Sequence, residues 1–415
     1  MANITRYIAF SLLMFVGPNV TEKVGIDYKI VMILIALLSI LITIYTKINI
    51  KAKREELFLL LFISIYCMFK MAFDTSDGTR MLSLILLLTP IVFLAYPSNY
   101  NMSYSNIRLW HGLQKVVLVF YIIECGIAIF EQYTGIYIFS YAGNEGFYND
   151  NFQDRRALGI HGHPLQNALI ISTFMCFILI SPIKIKYKYI LWGLGYWAIL
   201  SFNSRSSILG NGLLFALYNL GQLSSGKVNV LYKLGVIVFL IAGVTVVSYL
   251  ISQGMFGGRL QNGLIDDSSQ VRIDVWSIFD HYDIMDFAFG VSSDRLNAII
   301  YSLGLYATEN FWIDILLRFG FVFLAIVVVL YYFLIKRLMY PYSLSKRMFV
   351  LAGFFIIAST NNSLSVTSTP LIIFLFCCIL FNPLLLQITL DRKYFNFKES
   401  VLDLHPVQSN VNIKI

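Results

Sequence analysis

The sequence predicts an all-α integral membrane protein of about twelve transmembrane helices, and three observations carry that prediction. The 415-residue chain is 58% hydrophobic and only 13% charged, where a soluble domain carries about a quarter charged residues. Its mean hydropathy is +0.72. Phe (34) and Tyr (26) are abundant, as they are where aromatic rings line a membrane interface.

A spanning helix needs about 20 mostly apolar residues. Segments near 5–20, 28–47, 57–74, 80–97, 114–134, 164–182, 188–203, 206–222, 232–252, 308–335, 347–360 and 367–389 meet or approach that length. The first follows a single arginine, as a signal peptide would. It lacks a clear small-x-small cleavage site and a second apolar run follows at once, so it reads as a retained first helix. The chain is expected to form a single polytopic membrane domain over 1–415, with a large outer loop at 253–307 between the ninth and tenth helices and a cytoplasmic tail at 390–415.

The loops alternate in character. KINIKAKREE, KIKYKY, GKVNVLYK, KRLMYPYSLSKR and DRKYFNFK are lysine-rich, which assigns them and both termini to the cytoplasm. The opposite set comprises TEKVGID, DTSDGTR, 135–163, NSRSS, 253–307 and NNSLSVTST. Apart from Lys23, its basic residues are arginines: Arg80, Arg155, Arg156, Arg205, Arg259, Arg272 and Arg295. Arginine offers a planar fork that binds phosphate or carboxylate with two parallel hydrogen bonds. Salt bridges to Asp154, Asp266, Asp267 and Asp294 are the ordinary alternative.

The net charge of +8 fits positive cytoplasmic loops, and no basic run interleaved with aromatics points to nucleic acid. Cys67, Cys125, Cys176, Cys377 and Cys378 all fall inside apolar runs and read as small buried hydrophobes. In the large loop, Val271, Val275, Ile278, Phe279 and Tyr282 are spaced like one face of a helix. That predicts an amphipathic helix on the outer membrane boundary or over a cavity, with simple loop packing as the other reading.

Three constellations can carry chemistry. In RRALGIHGHPLQN (155–167), Arg155 and Arg156 stand close to His161 and His163, Gly159 and Gly162 let the backbone bend, and Pro164 suits a first helical turn. Cationic and imidazole groups would then face a ligand at the outer lip, or the stretch is a polar loop end capping a helix. His-x-His can bind zinc, but no Cys, Asp or Glu follows at a metal-site spacing, so no metal is predicted. In SFNSRSSILG (201–210), Arg205 stands among Asn203, Ser204, Ser206 and Ser207 between two apolar segments. An arginine so near hydrocarbon faces a cavity or partner, or else snorkels to the interface. In TENFWIDILLRFG (308–320), Glu309 and Asn310 sit at the lip of the re-entering span; Glu309 is a candidate general base or a carboxylate favoured by the helix dipole. Asp314 and Arg318, four apart, can simply pair. No Walker loop, Rossmann fingerprint, GxSxG elbow or HExxH is present, so ATP-driven chemistry and serine hydrolysis have no support.

The order of these motifs is R-x-x-G-x-x-x-HP-x-x-N, then N-SR-S, then a long loop with R-x-x-x-W and FGVS, then an N-aromatic re-entry and LLxxFG. Over about residues 150–325 it resembles the O-antigen ligase/polymerase superfamily, which includes polysaccharide polymerases of the Wzy type. The resemblance implies a GT-C-like glycosyltransferase of the bacterial inner membrane with its active site at the periplasmic face. It needs no cofactor and draws its glycan from undecaprenyl diphosphate. By the same resemblance Arg155 or Arg156, His163, Arg205 and Arg272 neutralise the diphosphate, and Glu309 or His163 takes the acceptor's proton. Asn167, Ser204, Asn310 and His161 join the binding surface. Ligases of this family carry a histidine before the re-entry asparagine. This chain has Glu309 there, which favours a polymerase, with a chain-length regulator as a possible partner beside the bilayer. A flippase is the competing class, but its charges would spread through the central helices rather than gather at one face.

Overall fold

The computed structural model describes residues 2–45, 54–74, 104–139, 155–224, 274–305, 310–360 and 369–382. Single positions between 83 and 92, between 234 and 252, and at 364 are also described. Every element so described is helical: α1 (Ala2–Phe15), α2 (Pro18–Lys23), α3 (Tyr28–Tyr45), α4 (Arg54–Phe73), α5 (Tyr104–Thr134), α6 (Pro164–Ile180), α7 (Ile185–Phe202) and α8 (Arg205–Ser224) lead the chain. A 3-10 turn (Val275–His281) precedes α9 (Ile284–Phe289), α10 (Ser293–Ser302), α11 (Phe311–Leu338), α12 (Leu344–Ser359) and α13 (Thr369–Leu380). The expected spans at 80–97 and 232–252 and the tail at 390–415 lie wholly or largely outside the described residues.

Among the described residues three helices are long and apolar enough to cross a membrane: Tyr28–Tyr45, Arg108–Thr134 and Phe311–Leu338. Large apolar side chains on α3 and α4, among them Ile33, Leu37, Leu41, Phe58, Leu61 and Ile65, face outward and stay exposed. Such contiguous apolar surface is unstable against water and natural against lipid. α6 is the opposite case. It is apolar on all sides and buried along nearly its whole length, as a helix at the centre of a bundle must be. α7, α8, α12 and α13 pack around it.

The packing fixes helix directions. Asn211 of α8 donates to Ser172 of α6 at 2.7 Å. A Cβ on Gly353 of α12 would meet both Cys176 of α6 and Leu214 of α8, while one on Gly210 would meet Ile357. α6 and α8 therefore run parallel and α12 runs against them. The starts of α6 and α8 share one end of the bundle with the end of α12. Asn310, at the start of α11, is tied to that end by a 2.9 Å hydrogen bond from its amide to the Ser359 carbonyl. The end of α4 arrives there too, since Tyr66 donates to the Phe319 carbonyl at 2.7 Å. At the far end Tyr342 donates to the Cys378 carbonyl (2.9 Å) and Lys188 to the Leu179 carbonyl (2.5 Å). Among the described residues, Arg155, Arg156 and Arg205 thus lie at one end of the bundle, and the lysine-bearing stretches 184–188 and 336–347 lie at the other.

Three local expectations are corrected. The first apolar segment is not one helix over 5–20: α1 stops at Phe15 and α2 starts at Pro18. Pro18 opens the second helix, and Gly17 before it leaves no room for a side chain, since a Cβ there would lie 2.3 Å from the Ile160 carbonyl oxygen. Of the helical face read at 271–282, Val271 lies outside the described residues and Val275–His281 form a 3-10 turn. Its three-residue period stacks Val275 on Ile278, and both are buried with Val291, Leu296, Ile300, Ile313 and Leu317. The re-entering span is broken at Gly320, whose φ of 82° and ψ of 167° are not helical.

That break is well satisfied. The Leu317 carbonyl accepts the Val291 N–H at 3.0 Å, and the Phe319 carbonyl accepts the Tyr66 hydroxyl. A side chain at Gly320 would strike the Ala288 carbonyl at 2.3 Å, and one at Gly290 would strike the Arg318 carbonyl at 2.4 Å. The two glycines let the 289–291 segment press directly on the kink, and the carbonyls the broken helix releases find donors there.

Candidate functional site

The stretch 155–163 does not lie along the surface. It turns inward and crosses the interior without helix, with Ala157, Leu158, Ile160 and His161 all buried. A non-helical backbone in an apolar interior must find a partner for each N–H and C=O. Those partners come from four helices, α2, α5, α6 and α7. Glu131 Oε2 accepts the N–H of Leu158 (2.7 Å) and of Gly159 (2.9 Å), and its Oε1 accepts Ile138 N–H at 3.2 Å. Glu124 Oε2 accepts Ile160 N–H at 3.1 Å. The Asn167 amide donates to the Leu158 carbonyl at 2.5 Å, and the Asn19 amide to the Gly159 carbonyl at 3.4 Å. The Ala157 N–H reaches the Ser201 carbonyl at 3.0 Å.

Glu124 and Glu131 are fully buried, and sequence reasoning missed them. The signal was there: two carboxylates seven apart in an apolar run share a helix face two turns apart. An intramembrane carboxylate points to a partner inside the bundle, and here the partner is the loop backbone. Gly159 (φ 60°) and Gly162 (φ 77°) adopt left-handed conformations that favour glycine. A Cβ would collide with Glu124 Oε1 at Gly159 and with Asn19 Oδ1 at Gly162.

At the mouth, Arg155 donates to the Gln132 carbonyl at 3.1 Å and Arg156 to the Phe202 carbonyl at 3.3 Å. The second contact brings Arg156 to the α7–α8 corner. There Asn203, with φ 52° and ψ 42°, caps α7 in the left-handed region that asparagine tolerates. The corner is so tight that Ser204 and Arg205 follow at once. Ser204 is buried and hydrogen-bonded to Ser207 (3.0 Å), while Arg205 is half-buried at the start of α8.

The two histidines differ in surroundings. His161 is 1% exposed, its ring 5.8 Å from Phe120. It does not open on the surface, so in this arrangement it packs. Burial drives its pKa down to about 4. His163 caps α6 and is also lowered to about 4, by burial and by the nearby Arg156 guanidinium. Both imidazoles are neutral near pH 7. Three residues after His163, Gln166 is 1% exposed and its amide meets no hydrogen-bond partner among the described residues.

The third constellation divides. Glu309 lies outside the described residues, as does Arg272. Asn310 is the helix cap of α11: its Oδ1 accepts the N–H of Trp312 (2.9 Å) and Ile313 (3.3 Å), and its amide holds Ser359. Asp314 and Arg318 do pair, at 2.9 Å. Arg318 also donates to Ser293 Oγ at 2.7 Å, and Ser293 donates to Asp74 from both its N–H and its hydroxyl. Arg295 is committed to Asp286 at 2.6 Å rather than to an incoming anion.

The fold and site define a helical membrane protein with a re-entrant polar loop and an arginine-bearing corner at one end of the bundle. No known protein family matches the chain, and no curated protein shares significant similarity with it. Among the described residues no group of three or more His, Cys, Asp or Glu is gathered to hold a metal.

Proposed function

We propose that this chain is a membrane glycosyltransferase of the O-antigen polymerase type. It would act at the periplasmic face of a bacterial inner membrane on glycans carried by undecaprenyl diphosphate. One observation supports the reading above the rest. Arg156, next to Arg155 in the chain, lies near His163 and donates to the Phe202 carbonyl beside Ser204 and Arg205, so two segments distant in sequence meet at the α7–α8 corner, at the end of the bundle where α11 begins. Fixed cations in a water-poor site are what a diphosphate leaving group requires.

In the reaction, a hydroxyl oxygen of the incoming repeat unit attacks the anomeric carbon of the growing chain. The bond from that carbon to the diphosphate oxygen breaks, and undecaprenyl diphosphate departs with the electron pair. Glu309 or His163 receives the hydroxyl proton. His163 is neutral and able to accept it, and a diphosphate beside Arg156 would raise its depressed pKa toward the working range. Arg205 serves best as a diphosphate ligand, being half-exposed at the corner.

The test is a gel profile of surface polysaccharide from a deletion strain beside the complemented strain. Glycans capped at one repeat unit support the polymerase. Bare acceptor with long lipid-linked polymer would make the chain a ligase, and single repeats trapped on the cytoplasmic side would make it a flippase. An Arg205→Ala protein that still made wild-type polymer would remove the diphosphate role assigned to that residue.

A further inference from the structure

We infer that the groove between α11 and α12 binds an anionic glycerophospholipid, with its acyl chains along the helices and its phosphate at Lys336 and Arg347. The two helices form an antiparallel hairpin closed by the 339–343 turn, and a cleft of about 550 Å³ runs between them. Its walls are apolar and open to the outside. Val328, Tyr332 and Met348 line it and are each largely exposed. Leu351 and Phe355 continue the wall along α12.

Charge decides what fills it and which way round. Among the described lining residues the cations are Lys336 and Arg347, both beside the turn; the far end of the cleft closes on Trp312 and Ser359, with no charged residue among the described lining residues there. The whole turn region, KRLMYPYSLSKR over 336–347, holds four basic residues and no acidic one. A ligand with one anionic end and a long apolar body is therefore oriented with its anion at the lysine-bearing end. That is the end opposite Asn310 and Arg205, so the ligand is distinct from the donor proposed above and does not depend on that proposal.

The headgroup site is built. Arg347 donates Nε to the Tyr342 carbonyl (2.7 Å) and Nη2 to the Tyr340 carbonyl (2.8 Å). Those two bonds set the plane of its guanidinium and leave donors on Nη1 for a phosphate oxygen. Lys336 stands on the Tyr332 ring, 5.7 Å from its centre, one turn along the same wall. A cationic pair at the foot of an apolar groove is the surface an anionic lipid of the inner leaflet complements.

The full chain, solubilised in detergent, can be titrated with dioleoylphosphatidylglycerol or dioleoylphosphatidylcholine and read by native mass spectrometry. The wild type is expected to retain one phosphatidylglycerol several-fold better than phosphatidylcholine. Lys336→Gln, on an exposed helix surface, and Arg347→Gln should each cut that preference by about threefold or more while still holding lipid. Leu351→Trp, which fills the groove and leaves the charges, should lose both lipids. Equal retention of the two lipids by the wild type, or an undiminished preference in both charge variants, overturns the inference. So does a polyprenyl phosphate that displaces phosphatidylglycerol, or a dimer that excludes lipid from the groove. Unchanged melting temperatures of the variants in lipid-free detergent establish that each is folded.

Discussion

Glu131 on α5 receives the backbone N–H groups of both Leu158 and Gly159 on a single carboxylate oxygen, at 2.7 and 2.9 Å. This contact converts an exported-looking loop into an internal strap. It also explains why a carboxylate persists in a span that is otherwise apolar.

Glu131→Gln should therefore cost more than Glu124→Gln. Glu131 accepts three N–H groups through both of its oxygens, whereas Glu124 accepts one through Oε2. An amide at 131 must turn an NH2 toward one set of donors. A loss of about 1–3 kcal/mol is expected for Glu131→Gln and under about 1 kcal/mol for Glu124→Gln. Chemical or thermal unfolding in detergent reads the difference. Equal losses would mean the strap is held mainly by other contacts.

Gly17 tests the steric half of the same junction. Its φ of −90° suits any residue, so only the 2.3 Å contact with the Ile160 carbonyl stands against a side chain. Gly17→Ala should destabilise the fold by about 1–3 kcal/mol. Gly126→Ala, in the middle of α5 with open space around its Cβ position, should be neutral or stabilising by up to about 1 kcal/mol. Unfolding midpoints of the pair separate packing from helix propensity.

Acid should loosen this region through His161. Its folded pKa of about 4 lies below the ordinary 6.5, so the unfolded chain binds the extra proton first. The stability it contributes is fully present above pH 6.5 and is lost as pH falls through that value toward about 4. His161→Phe keeps an aromatic ring against Phe120 and removes the titration. Its melting temperature should fall less than that of wild type over this range. Parallel curves for the two proteins would assign the acid sensitivity to other groups.

The kink in α11 makes a separate prediction. Tyr66→Phe deletes the hydroxyl that caps the Phe319 carbonyl and should cost about 1–2 kcal/mol in unfolding free energy. Gly320→Ala meets both the left-handed φ of 82° and the Ala288 carbonyl. It should lower the yield of folded protein in membranes far more. A normal yield would show that the 289–291 segment can move off the helix at little cost.

How legible all this was depends on the range of the interactions. Composition and apolar run length sufficed for a helical chain with spans that suit lipid, because exposed and buried helices alike need apolar residues there. Loop charge sorted the connections into two sets, and among the described residues the arginines at 155, 156 and 205 lie at the end opposite the lysine-bearing 184–188 and 336–347 stretches. The Asp314–Arg318 pair was readable because four residues is one helical turn, and so was a helix start at Asn310. What the sequence could not tell is how 155–163 is used. Two arginines and two histidines look alike on a surface rim and on a strap threaded inward; the hydrogen-bond partners that decide between them, Glu131, Glu124 and Asn19, lie 28, 36 and 140 residues away. The breaks at Gly17 and Gly320 have the same origin. At each, the backbone of a distant segment lies where a side chain would be. Local pattern determined which residues become helix and which end they reach, and tertiary contact alone decided where the chain must stop being helical to let another segment through.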